Sequence, residues 1–90
     1  MSSSDKAFFE ACETETLQDP TELWCIGLEL GRCKYHFLRY FETRGSFWYV
    51  VVAKDAQDDE LEILDSFPSD DSELIHRFRQ GEAKILKARP

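Results

Sequence analysis

Residues 33–54, from Cys33 to Lys54, are CKYHFLRYFETRGSFWYVVVAK, the most strand-like segment of the chain. Two runs, Cys33 to Glu42 and Ser46 to Lys54, are rich in aromatic and β-branched side chains, which suit a pleated, half-buried surface. Thr43-Arg44-Gly45 lies between them and supplies turn chemistry. The pattern predicts a β-hairpin. In its first strand Cys33, Tyr35, Phe37 and Phe41 share one face, with Lys34, His36 and Glu42 on the other. The second strand is apolar on both faces, as expected of an interior strand.

Downstream, Asp55 to Glu60 is a polar turn. Leu61, Ile63 and Phe67 then alternate with Glu62, Leu64 and Ser66 as a third strand, which Pro68 is expected to end. Asp70-Asp71-Ser72-Glu73 forms a capping box, with first-turn acids favoured by the helix dipole. Leu74, Ile75 and Phe78 give the buried stripe of that helix, Arg77 and Arg79 suit its last turn, and Gly81 closes it. The tail from Glu82 to Pro90 extends as a strand or frays.

Upstream, capping chemistry at Ser4 precedes Phe8, Ala11 and Cys12 at helical spacing, which predicts a short amphipathic helix. Glu13 to Asp19 reads as a loop. Residues 19–31 fit two descriptions. Asp19-Pro20-Thr21-Glu22 starts a helix, Leu23, Ile26, Gly27 and Leu30 share a helical face, and Gly31 suits a C-terminal cap. Trp24, Ile26, Leu28 and Leu30 also alternate as in a strand, and an interior Gly27 costs a helix about 1 kcal/mol. The agreement of start and stop signals favours the helix, with a first strand over 20–30 as the alternative.

The fold class expected is therefore α+β, in the order α-α-β-β-β-α: a three-stranded antiparallel meander with two or three helices on one sheet face. Ninety residues make one domain, 1–90, with a thin stability margin offset by seven Phe, three Tyr and two Trp. The longest strongly apolar run, Phe47 to Ala53, falls far short of the roughly 20 residues that span a bilayer. With no secretory pattern at Met-Ser-Ser-Ser-Asp, a cytoplasmic, intracellular protein without membrane contact is expected. Cys12, Cys25 and Cys33 then read as free, mostly buried thiols.

Charge is distributed in blocks. The net value is −7, yet residues 55–76 carry nine acids and no Lys or Arg. Residues 1–31 are also acidic, whereas 32–54 and 77–90 each carry five bases against one acid.

Cys33 and His36 stand at i and i+3 on a strand, so they point to opposite faces and do not form a nucleophile pair. The same Cys-x-x-His lies inside a strand pattern rather than a turn, where structural zinc ligands gather, even with Cys12, Cys25 and His76 as further ligands. The readings are buried thiols, surface imidazoles and no cofactor or metal. Asp55, Asp58, Asp59 and Glu60 lack the glycine-punctuated spacing of a calcium loop. The helix-strand-strand-strand-helix order is similar in outline to double-stranded-RNA-binding domains. Those need a basic helix start, where this chain has Asp70, Asp71 and Glu73, and an acidic surface repels phosphate. No direct nucleic-acid contact is expected, despite the aromatic and basic strand residues Tyr40, Trp48, Tyr49, Arg39 and Arg44.

The function expected is a non-enzymatic regulator or inhibitor that presents an acidic face to a basic protein partner, itself one that binds nucleic acid. Phage-type antagonists of anti-CRISPR or DNA-mimic character work this way, as an analogy of size and charge. The contact residues expected are Asp55, Asp58, Asp59, Glu60, Glu62, Asp70, Asp71 and Glu73, gathered at one end of the sheet. The alternatives are an interaction or homodimer surface on an exposed aromatic sheet face, and a toxin-neutralising immunity-type protein. An enzyme with a Cys or carboxylate centre ranks last.

Overall fold

Residues 48–53, Trp-Tyr-Val-Val-Val-Ala, are all buried, and the fold is arranged to bury them from both sides. The structure is a computed structural model describing residues 3–88, with side chains from residue 5 onward. Residues 89–90 of the tail and the side chain of Ser4, the expected cap, lie outside the described residues. The elements are α1 (Ser3–Gln18), β1 (Glu22–Gly27), β2 (Cys33–Phe41), β3 (Phe47–Asp55), β4 (Leu61–Ser69), α2 (Ser72–Arg77) and β5 (Glu82–Leu86). The strands form one five-stranded antiparallel sheet in the order β4-β3-β2-β1-β5.

The α+β class and the central hairpin are as the sequence suggests; the count of strands is larger. Residues 22–27 form β1, the alternative reading, and not a helix. The residues that resemble a helix start bond elsewhere. The Thr21 hydroxyl accepts from the Tyr40 amide (3.1 Å), and Asp19 accepts from Arg39 and Lys87. Those two cations, Lys87 first, hold the Asp19 carboxyl below its ordinary range. β1 has strands on both sides because residues 82–86 of the tail pair with it as β5. Sheet hydrogen bonds along both edges outweigh a propensity difference of about 1 kcal/mol at Gly27.

Three further expectations are corrected. The first helix continues through the segment read as a loop and ends at Gln18. Thr16 is fully buried there, its hydroxyl bonded back to the Cys12 carbonyl at 2.7 Å, and Leu17 packs on the core, so a threonine supplies an apolar-face position. β4 runs past Pro68 to Ser69, because an outer strand has no second neighbour to miss the proline amide. The helices cover opposite faces rather than one.

On the α1 face Phe8, Phe9, Cys12 and Leu17 pack on Phe37, Tyr49, Val51 and Ala53. On the other face Ile75 and Phe78 pack on Leu38, Trp48, Val50 and Val52. Each aliphatic side chain fully buried in this way contributes about 1.5–3 kcal/mol. The α2 face also holds a partly buried ion pair that the sequence did not announce. Arg79 forks onto Glu22 at 2.9 and 3.0 Å, Trp24 Nε1 donates to the same carboxylate at 2.9 Å, and the guanidinium stacks on Trp48.

His36 is buried, not a surface imidazole. It stands opposite Trp24 and Val52 on neighbouring strands, and Phe78 covers it edge-on. Its Nδ1 meets the Phe78 carbonyl at 2.7 Å, so Nδ1 carries the proton and donates, while the buried Nε2 has no partner among the described residues. Burial holds its pKa below 6.5, the Phe78 bond opposes this, and Lys34 adds to the depression.

Gly81 has φ +83°, and a Cβ there would lie 2.2 Å from the Cys25 carbonyl oxygen, whereas a Cβ at Gly27 meets nothing within 4 Å. Gly81→Ala is therefore expected to lose about 2 kcal/mol or more in urea unfolding, with Gly27→Ala unchanged within about 0.5 kcal/mol. Equal effects of the two would contradict the close β5–β1 approach. For His36, the unfolded chain binds the proton more tightly than the folded one. Stability is full above pH 6.5 and falls as pH drops from there toward the folded-state pKa. Ring resonances titrating below 6.5, and a smaller stability loss between pH 7.5 and 5.5 in His36→Gln, are the expected readouts.

Candidate functional site

Of the nine acids of residues 55–76, Asp55 ends β3, three lie in the turn into β4, two on β4, an outer strand of the sheet, and three follow it into α2. The strand is entered through a two-residue hairpin turn. The Ala56 amide donates to the Glu60 carbonyl at 2.8 Å, and Glu60 donates back to Gln57 at 3.5 Å. Asp58 (φ 64°) and Asp59 (φ 59°) both adopt the left-handed conformation of a type I′ turn. The β1–β2 turn has the same shape, with Leu30 (φ 62°) and Gly31 (φ 72°) at the centre and Leu28 bonded to Arg32. The two turns stand side by side and flank an open groove of about 570 Å³. Arg32 lines this groove together with Asp55, Asp58 and Asp59.

A bulge shapes the strand. Ile63 pairs with Ala53 and Asp65 with Val52, which leaves Leu64 as the extra residue. The bulge reverses the alternation, so Glu62 and Asp65 share the α2 side while Leu61, Ile63 and Ser66 lie on the α1 side. Leu61, Ile63 and Leu64 are 46%, 40% and 47% exposed. The sequence reading placed Leu61 and Ile63 on one face with Phe67; the bulge separates them from it, and no local signal announces a bulge. The strand is anchored farther along. Ser66 Oγ donates to Glu13 of α1 at 2.6 Å, and the Tyr49 hydroxyl donates to Ser66 at 2.8 Å.

The expected contact residues divide into two groups. Asp55 is structural: its carboxylate accepts from the Cys33 amide (2.8 Å) and the Tyr35 hydroxyl (3.3 Å). Burial, and then this carboxylate, push the Tyr35 phenol up to about 12. Asp71 caps α2 by accepting from Glu73 and Leu74, and Glu62 pairs across the strand with Lys54 at 3.2 Å. Asp65, which the sequence reading passed over, accepts from the Ser66 amide at 2.9 Å. Asp58, Asp59, Glu60, Asp70 and Glu73 are exposed, with no side-chain ion pair or hydrogen bond among the described residues.

These free carboxylates do not gather at one end of the sheet, contrary to expectation. Asp55 pairs with Leu61 at one end of β4 and Trp48 with Ser69 at the other. Turn 55–60 and the start of α2 are thus a strand length apart, roughly 26 Å. That exceeds two Debye lengths of about 8 Å at physiological salt, so the acidity forms an extended edge with two nearly independent foci. Trp48 and Tyr49, the centre of the expected aromatic patch, are only 6% and 4% exposed. No group of three His, Cys, Asp or Glu side chains arranged to hold a metal occurs among the described residues, and no described helix is long and apolar enough to cross a membrane. Comparison with protein-family models, curated proteins and solved structures finds no significant match to the chain.

Type I′ turns favour Asn-Gly, and this chain has Asp58-Asp59, two adjacent like charges in a conformation that L residues rarely adopt. The double substitution Asp58→Asn, Asp59→Gly is expected to raise unfolding free energy by about 1 kcal/mol in urea titration. A lower value would show that these acids are there for the turn itself.

Proposed function

We propose that this chain is a non-enzymatic protein-binding regulator or inhibitor that presents β4 and its flanking turns to a partner with a basic surface. One observation carries the reading: the outer strand β4 exposes three leucine and isoleucine side chains, and the segments at its two ends carry five carboxylates free of described partners. Apolar groups supply area that favours association once covered, and the surrounding charge steers encounter and selects a complementary surface. A groove that binds nucleic acid has that complementarity, so antagonism of such a protein is the concrete form of the proposal.

The turn supports it. Self-repelling acids in a left-handed turn cost stability in a domain with little to spare, the pattern expected where a surface is kept for binding. Pairing of β4 with β4 of a second copy would bring acids against acids, which disfavours a homodimer through this edge. The aromatic sheet-face alternative loses its basis with the burial of Trp48 and Tyr49.

The test uses a variant that removes charge without touching the cap or the cross-strand pair: Asp58→Asn, Asp59→Gly, Asp70→Asn and Glu73→Gln together. Capture of the partner from a host lysate is expected to weaken steeply between low and high salt, and the variant is expected to bind at least tenfold more weakly. Equal affinity of variant and parent, with the variant folded by circular dichroism, contradicts the proposal.

A further inference from the structure

Cys25 pairs with Tyr35 and Cys33 pairs with Gly27 across the β1–β2 ladder, so the two cysteines occupy diagonal positions on neighbouring antiparallel strands. Both lie on the α1 side of the sheet, at the end nearest the Leu28–Arg32 turn. Both are partly exposed, whereas Cys12 is buried beneath α1. Burial pushes the Cys25 thiol up, and the neighbouring Cys33 thiol adds to it. β5 backs Cys25, whose carbonyl oxygen lies where a Gly81 side chain would begin.

We propose that Cys25 and Cys33 are a modification site, forming a reversible intrachain disulfide by exchange with a small-molecule disulfide of the oxidised-glutathione class. One cysteine, as its thiolate, attacks a sulfur of glutathione disulfide; a protein–glutathione bond forms and one glutathione thiolate leaves. The second cysteine, deprotonated in turn, attacks the protein-side sulfur of that mixed disulfide and expels the other glutathione. The two protons lost from the cysteines go to the two glutathione thiolates, and two electrons pass from the protein to the oxidant. Diagonal positions stand about 7–8 Å apart at Cα, just beyond the roughly 4.4–6.8 Å of relaxed disulfides. Closure therefore draws the two strands together, and a bond formed under that load is readily reduced again. It clamps the hairpin whose turn stands beside the Asp58–Asp59 turn.

The test equilibrates the full chain with oxidised glutathione, blocks remaining thiols and digests with trypsin without reduction. Cleavage after Arg32 separates Cys25 from Cys33, and Cys12 shares the Cys25 peptide. The expected product joins peptide 7–32 to peptide 33–34 with loss of two hydrogens. Fragmentation places the bond at Cys25, and the thiol titre falls from three to one and returns with dithiothreitol. The same linkage persists in Cys12→Ser, and the parent spectrum assigns the bond independently of that variant. Stable mixed disulfides, a bond to Cys12, chain-to-chain dimers, or three thiols still free would each overturn the proposal.

Discussion

Everything in this structure depends on covering both faces of β3. Val50, Val51 and Ala53 are wholly buried, and successive side chains of a strand point to opposite sides, so no single layer of helix can protect them. α1 closes one face with two phenylalanines and Cys12; α2 and Phe78 close the other with much less chain. The thinner cover has its own fastenings. The Asp71 cap fixes the start of α2, the Glu22–Arg79 pair ties the segment after it to β1, and Phe78 seals His36 with ring and carbonyl. Among these fastenings the buried His36 is coupled to ionisation, because burial favours its neutral form.

The same arrangement leaves β4 as the strand with a free edge beside the core. It shares one ladder with β3 and is fastened to α1 through Ser66 and Glu13, yet its turn-proximal half exposes leucines and an isoleucine. An open apolar edge invites pairing with another chain, and carboxylates and a bulge both blunt that tendency. On β4 Glu62 and Asp65 engage groups of their own chain, while Asp58, Asp59 and Glu60 in the turn, with Asp70 and Glu73 beyond the strand, stay free. Protection of the edge accounts for the first group and not for the second, and the free group defines the proposed binding face.

Much of this was legible in the sequence. The hairpin 33–54, the interior position of β3 and the cap of α2 follow from side-chain period and turn chemistry, which act locally. What was not legible is non-local. Asp19-Pro20-Thr21-Glu22 has helix-start chemistry, and its strand fate rests on Arg39, Tyr40, Arg79 and Lys87, all distant along the chain. Thr16 reads as polar and is buried; His36 reads as exposed and is covered by a residue forty-two positions away. The acidic block was visible as composition, but its shape was not. Nine residues of extended strand separate its halves, turning an expected cluster into an edge.

The central claim is that the β4 edge, and no other surface, meets the partner. Residue-resolved amide hydrogen exchange on the chain, free and bound to its captured basic partner, addresses this most directly. The account predicts that residues 56–73 exchange more slowly on binding while α1 and β5 are unchanged. Slowing confined to α1 or β5, with β4 exchanging as in the free chain, would contradict it.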